Sequence, residues 1–219
     1  MALATPIDGE RLVYEASWLG ILAGTAKAEL HLQDGAWVAS VRTQSAGWVA
    51  SIYPVDDLVT GTWTESGSLA YATRFREGRF QQDQQVTFGP SEISVSRHQL
   101  IEGAWRDWTD VYAVPSGLLD PVAAVYRLRE AWSGTLQFDA FSGRKRVPVR
   151  ATGLGEHAVQ NILGVATEKV DVRAGYDGKM NPWMAVWFGT DAARVPVRAV
   201  VETRGGQVTV ELVERSVVP

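Results

Sequence analysis

The chain has 219 residues, 46% of them apolar and 21% charged, with a formal charge of −4. That is a globular composition, and the negative balance excludes a protein that follows nucleic-acid phosphates. Cysteine is absent, which excludes disulfides, cysteine zinc sites, iron–sulfur clusters and thiol nucleophiles. No apolar run approaches the roughly 20 residues that cross a bilayer, and the length suits a single domain over residues 1–219.

Met1-Ala2-Leu3-Ala4 lacks the basic start and apolar stretch of a secretory signal. The protein is therefore cytosolic, or its signal has been removed. Strands follow one another from there. Residues 11–19 alternate, with Leu12, Tyr14, Ala16 and Trp18 on one face. Residues 25–32 alternate strictly, placing Ala26, Ala28, Leu30 and Leu32 opposite Thr25, Lys27, Glu29 and His31. Asp34-Gly35 is a hairpin turn signal, and Trp37, Ala39 and Val41 resume the period of two. Residues 47–57 read as a loop or a short turn of helix, with Asp56-Asp57 as a turn. Further strands are expected at 58–64, 69–76, 80–88, 92–100 and 104–114, punctuated by Glu77-Gly78 and Gly89-Pro90.

One helix interrupts this series, at about 120–132. Asp120 is its N-cap and Pro121 its first helical residue. Val122, Val125, Leu128 and Trp132 form a stripe for burial. Arg127 and Arg129 suit the C-terminal dipole, and Gly134 is the stop signal. Strands return at 135–141, 144–151, 165–174, 183–188, 194–203 and 208–215, with Ser142-Gly143 and Gly205-Gly206 as two-residue hairpin turns. Pro148 and Pro196 each sit in V-P-V, which belongs at an edge or a bulge. The fold class is mainly β: an antiparallel meander curled into a barrel or half-barrel, with the helix packed against it or capping it. The helix then acts as a plug, a lid over an apolar cavity, or both.

Motifs for chemistry are scarce. His31, His98 and His157 have no metal-ligand spacing, and no G-x-S-x-G or phosphate-binding loop occurs. Residues 153–158 satisfy G-x-G-x-x-A with Asp171 beyond, but too few residues remain there for the helix that fingerprint needs. No catalytic residue, metal site or cofactor is assigned, and the reading leans away from an enzyme. Trp105-Arg106-Asp107-Trp108-Thr109-Asp110 puts Trp105 and Asp107 on one strand face and Trp108 and Asp110 on the other. An aromatic beside a carboxylate is one way to hold a sugar. Nine tryptophans are present, and indoles suit a cavity wall or a wet rim. The candidate ligand-facing residues are Trp18, Trp37, Trp63, Trp105, Asp107, Trp108, Asp110, Tyr126, Trp132 and Trp187.

Three segments carry a resemblance. Residues 9–24 run G-E-R-L-V-Y-E-A-S-W-L-G-I-L-A-G, residues 119–129 run L-D-P-V-A-A-V-Y-R-L-R, and residues 186–197 run V-W-F-G-T-D-A-A-R-V-P-V. In this order they resemble a bacterial family, domain of unknown function 3108, with Val122-Ala123 and Gly189 as small departures. The resemblance implies a β-rich, barrel-like protein exported in a Gram-negative bacterium, in the periplasm or at the outer membrane. It implies no catalytic residues. Asp191 and Arg194 are expected in a hairpin, with Asp191 bonded to backbone N–H. Three functions remain open. One is a non-enzymatic carrier of an apolar, lipid-like ligand; another is a glycan-binding or glycan-cleaving protein; the third is a structural factor of the envelope.

Overall fold

The computed structural model describes residues 6–129, 134–176, 179–203 and 206–218. The first half of the chain forms β1 (Glu10–Trp18), β2 (Ile21–Gln33), β3 (Ala36–Ser45), α1 (Gly47–Ile52), β4 (Asp56–Thr64), β5 (Gly67–Glu77), β6 (Phe80–Phe88), β7 (Glu92–Ile101) and β8 (Ala104–Ala113). After α2 (Pro121–Leu128) come β9 (Gly134–Phe141), β10 (Arg146–Glu156), β11 (Thr167–Tyr176), β12 (Lys179–Gly189), β13 (Pro196–Thr203) and β14 (Gly206–Val217). Among the described residues, fourteen strands lie in one sheet, ordered β8-β7-β6-β5-β4-β3-β2-β1-β14-β13-β12-β11-β10-β9. Every neighbouring pair is antiparallel, so each half of the chain is a meander, and the β1–β14 ladder joins the two halves into one open sheet.

The two edges, β8 and β9, are not bonded to each other. The sheet rolls until they overlap instead. Phe141 at the end of β9 meets Tyr112 of β8 at 5.2 Å and Phe88 of β6 at 6.3 Å, both edge to face. Arg97 of β7 donates to the Gly143 carbonyl in the β9–β10 turn. The result is an open, rolled sheet with a barrel-like shape, as the alternating pattern implied.

The turns follow from backbone chemistry. Asp34 and Gly35 both take positive φ (51° and 79°), as do Leu19 and Gly20 (50° and 80°) and Glu102 and Gly103 (52° and 81°). Two successive left-handed residues match the twist of the strands they join. Pro196 opens β13 opposite a bulge in β12. Pro148 lies just before the β10–β11 ladder begins, where no N–H is required.

Several expectations are corrected. Asp56 and Asp57 are not a turn but the start of β4, Asp56 bonded to Arg42 and Asp57 accepting from the Arg76 amide. Ser142-Gly143 is not a two-residue turn but part of the four-residue connection between Phe141 and Arg146, whereas the segment around residue 50 is a short helix, α1, one of the two forms expected for it. The second helix ends at Leu128, and Trp132 lies outside the described residues, as does Gly205 of the expected Gly205-Gly206 turn. Gly134 begins β9 rather than stopping the helix. Val125 is 38% exposed, while Val122, Ala123, Ala124 and Leu128 are buried. Three consecutive buried residues mean that α2 is covered over a wide arc rather than along one stripe. It lies across one mouth of the rolled sheet. Val122 and Ala123 join a core with β2 to β7, and Ala124 and Leu128 join a second core with β9 to β12.

The start of α2 is fixed by side chains. Asp120 accepts from the amides of Val122 (2.7 Å) and Ala123 (3.1 Å). The Ser68 hydroxyl of β5 donates to its other oxygen at 2.6 Å. Gly61 of β4 lies beneath, where a Cβ would come within 2.7 Å of the Asp120 carboxylate. Asp120→Ala removes the cap and strands these donors, so we expect a loss of about 2 kcal/mol in chemical unfolding, the upper end for caps. Asp120→Asn keeps an acceptor and should lose less; equal losses in the two variants would contradict the capping role.

Candidate functional site

A cavity of about 570 Å³ lies under α2 at the mouth that the helix covers. One wall is aromatic: Trp37 of β3, Trp63 of β4, Tyr126 of α2 and Phe138 of β9. Trp63 and Tyr126 pack with ring centroids 5.0 Å apart. Leu119 and Ala123 add aliphatic surface, and Thr64, Glu65, Ser66 and Arg127 form a polar rim. The cavity sits at the seam between the two cores, since Leu119 and Phe138 pack on one while Trp37, Trp63 and Tyr126 belong to the other. Burial pushes the Tyr126 hydroxyl up to about 12, so it stays neutral at ordinary pH. A smaller hollow of about 370 Å³, lined by Asn161, Ile162, Val197 and Leu212, lies where the β10–β11 loop crosses β13 and β14.

Of the residues singled out from sequence, the cavity gathers Trp37, Trp63 and Tyr126. The others lie elsewhere. Trp18 ends β1 at the opposite end of the sheet, beside Gly206. Trp187 lies between the cations of Lys169 (5.5 Å) and Arg198 (5.7 Å). Trp105 and Asp107 are on the outer face of β8, with His98 stacked on Trp105 at 4.3 Å and its Nδ1 bonded to Asp107 at 2.6 Å. Trp108 and Asp110 share the inner face with Arg97, which ion-pairs Asp110. The two aromatic–acid pairs thus open on opposite faces of an edge strand, and each acid already has a partner. They form no shared groove.

A buried ionic cluster at the end of α2 was not anticipated. Glu10 is 1% exposed and Arg129 2%. Arg129 Nη2 donates to Glu10 at 2.7 Å, and Arg215 of β14 approaches the other Glu10 oxygen at 3.4 Å. Arg194, in the β12–β13 turn with φ 44°, donates from Nε to the Arg129 carbonyl at 2.6 Å and from Nη1 to Glu168 at 2.7 Å. That carbonyl is an unpaired acceptor at the end of α2, so the Arg194 guanidinium serves as a C-terminal cap. Asp191 holds the turn by accepting from the Arg194 amide at 3.1 Å, as expected. Arg129, read from sequence as a partner of the C-terminal dipole, is an interior ion. With Asp120 clamped at one end and Arg129 at the other, α2 is a fixed cap over the cavity.

The signal for this cluster lay in the three quoted segments. Glu10 belongs to the first, Arg129 to the second, and Asp191 and Arg194 to the third. They look unrelated along the chain and meet in space.

Among metal-ligating side chains, no group of three or more converges within the described residues. No described helix is long and apolar enough to cross a membrane. The fold has a solved counterpart, a beta-barrel-like protein of domain of unknown function DUF1849 from Brucella abortus. It superposes over 100% of both chains with a TM-score of 0.67 at 11% sequence identity. A likeness at that identity is one of fold. No curated protein sequence matches the chain. The family model described as protein of unknown function (DUF3108) matches residues 13–213. That match begins within β1 and ends within β14, taking in the twelve strands between them and the helix, and the chain belongs to this family.

Proposed function

We propose that this chain is a non-enzymatic binding protein of the bacterial envelope, in the periplasm or at the outer membrane. In this reading it holds an apolar, lipid-like ligand in the cavity beneath α2. The observation that supports it most is the cavity itself: Trp37, Trp63, Tyr126 and Phe138 line it with Leu119 and Ala123, and Thr64, Glu65, Ser66 and Arg127 supply polar groups. A volume of this size lies within the roughly 300–1,000 Å³ of small-molecule sites, which are apolar with a few placed polar groups. Wall rings present stiff apolar faces to an acyl chain at little entropic cost. The polar rim leaves a headgroup in water. Because α2 is clamped at both ends, entry is through the mouth between the rim residues and not by swinging the helix.

Native mass spectrometry of the purified protein, compared with its denatured mass, tests this. The expected result is extra mass that is lost on denaturation and extracts into organic solvent. Ser66 is exposed at the rim, so Ser66→Trp closes the mouth without disturbing either core. That variant should lose about tenfold in affinity for a fluorescent fatty acid, with an unchanged melting temperature. A wild-type protein with no bound mass and no affinity for the probe would overturn the carrier reading.

A further inference from the structure

The end of the sheet opposite the cavity carries a second apolar feature of a different kind. Residues 16–26 and 43–55 contain no Asp, Glu, Lys or Arg. The first stretch turns the β1–β2 hairpin and the second contains α1. The fold brings them together: Gly24 pairs with Ser45, and the Ala46 amide donates to the Ala23 carbonyl at 2.9 Å. The large apolar side chains there face water. Ile52 is 72% exposed and Leu19 66%, and Ile21, Leu22, Trp48 and Tyr53 are exposed as well. No residue of α1 is buried.

Two details separate this patch from incomplete packing. Leu19 holds φ 50°, a conformation that Asn or Gly takes without strain and a bulky residue does not. The residue is therefore unfavourable both for its backbone and for its exposure. Ile21 and Leu22 are consecutive in the strand and point to opposite faces, yet both are exposed. The hairpin tip is bare on both sides.

We propose that this tip and α1 form a membrane-docking surface that enters the outer part of a lipid bilayer. A protein partner or a second copy would cover one side of the tip, whereas a lipid interface surrounds it. The aliphatic residues Leu19, Ile21, Leu22 and Ile52 supply depth. Trp48 and Tyr53 are the residue types that settle at the headgroup level. The Tyr53 hydroxyl is held by Glu77 at 3.3 Å, on the next hairpin. Neither stretch holds a charged side chain, and Arg42 and Asp56, which border the second, bond each other through two 2.9 Å contacts. Docking is therefore driven by apolar burial and needs no anionic lipid.

The test is co-sedimentation with phosphatidylcholine vesicles, with and without phosphatidylglycerol, at low and high salt. The wild-type chain should bind both kinds with little salt dependence. Leu19→Asn combined with Ile52→Ser should reduce partitioning at least about tenfold, with the melting temperature unchanged or raised. Quenching of tryptophan emission by brominated acyl chains should shrink in Trp48→Phe, which reads the docked state without altering the tip. The Ser66→Trp variant should bind vesicles as the wild type does, which keeps this proposal separate from the carrier reading. Absence of vesicle binding, binding confined to phosphatidylglycerol and removed by salt, undiminished binding by the double variant, or a dimer that these substitutions dissolve would each overturn it.

Discussion

Arg129→Ala should destabilise the protein by about 3–5 kcal/mol, the range for breaking a buried ion pair from one side. The substitution leaves the Glu10 carboxylate inside the protein with only Arg215 at 3.4 Å. It also removes the cation that lies 4.6 Å from the Tyr126 ring and the weak contact from Nη1 to the Ala193 carbonyl at 3.5 Å. Most of the loss comes from desolvating an unpaired carboxylate, not from the strength of the pair. Replacing both partners should therefore behave differently. Arg129 Nε is buried without an acceptor, so the pair is not fully satisfied even when intact. Glu10→Leu with Arg129→Met is expected to recover most of the loss, and the coupling appears in a double-mutant cycle from urea titrations. The half-exposed pair Arg11–Glu29, 3.2 Å apart, is the control and should contribute under about 1 kcal/mol. A loss below about 1 kcal/mol for Arg129→Ala would mean that Glu10 reaches water and the pair is not a buried one.

The meander was legible because its information is local. Alternation over β2, Asp34-Gly35 between β2 and β3, and Asp120-Pro121 at the start of α2 each act within a few residues of themselves. The end of α2 was not legible. It is set by Arg194, 65 positions beyond the carbonyl that it caps. The burial of Arg129 depends on Glu10, 119 positions away. No periodicity reports such partners, although the quoted segments contained all of these residues. The cavity was legible by half. Trp37, Trp63 and Tyr126 were suitable aromatics on regular elements, but the direction in which the sheet rolls decides which strand face is concave. That direction is a property of fourteen strands together, so Trp105 could not be separated from Trp63 beforehand. Val125 failed for a related reason. A helix across the mouth of a rolled sheet meets two cores, and its solvent face is narrower and rotated from the stripe that one flat partner would select.

That two-core contact gives the second large effect. Leu128→Ala should cost about 2–5 kcal/mol, the range for emptying a buried leucine site. Leu128 is 1% exposed and packs in the core formed by β9 to β12, with Val170 and Phe188 among its members. Val122 is buried in the other core, beside Trp63 and Tyr71. Val122→Ala removes less volume and should cost about 1–3 kcal/mol. If α2 is the joint between two halves of one cooperative sheet, both variants unfold in a single transition, with a lower midpoint and an unchanged slope against urea. If instead the halves unfold separately, Leu128→Ala would split the transition and leave the Trp63 environment intact at the first step. Tryptophan emission and far-ultraviolet dichroism followed together distinguish the two. A single transition is expected, because the β1–β14 ladder joins the halves and Asp120 and Arg194 fix the helix to strands and turns of both. Val125→Ser, on the exposed side of the same helix, should change stability by less than about 1 kcal/mol. A loss there as large as that of Leu128→Ala would place the buried arc of α2 on the wrong side.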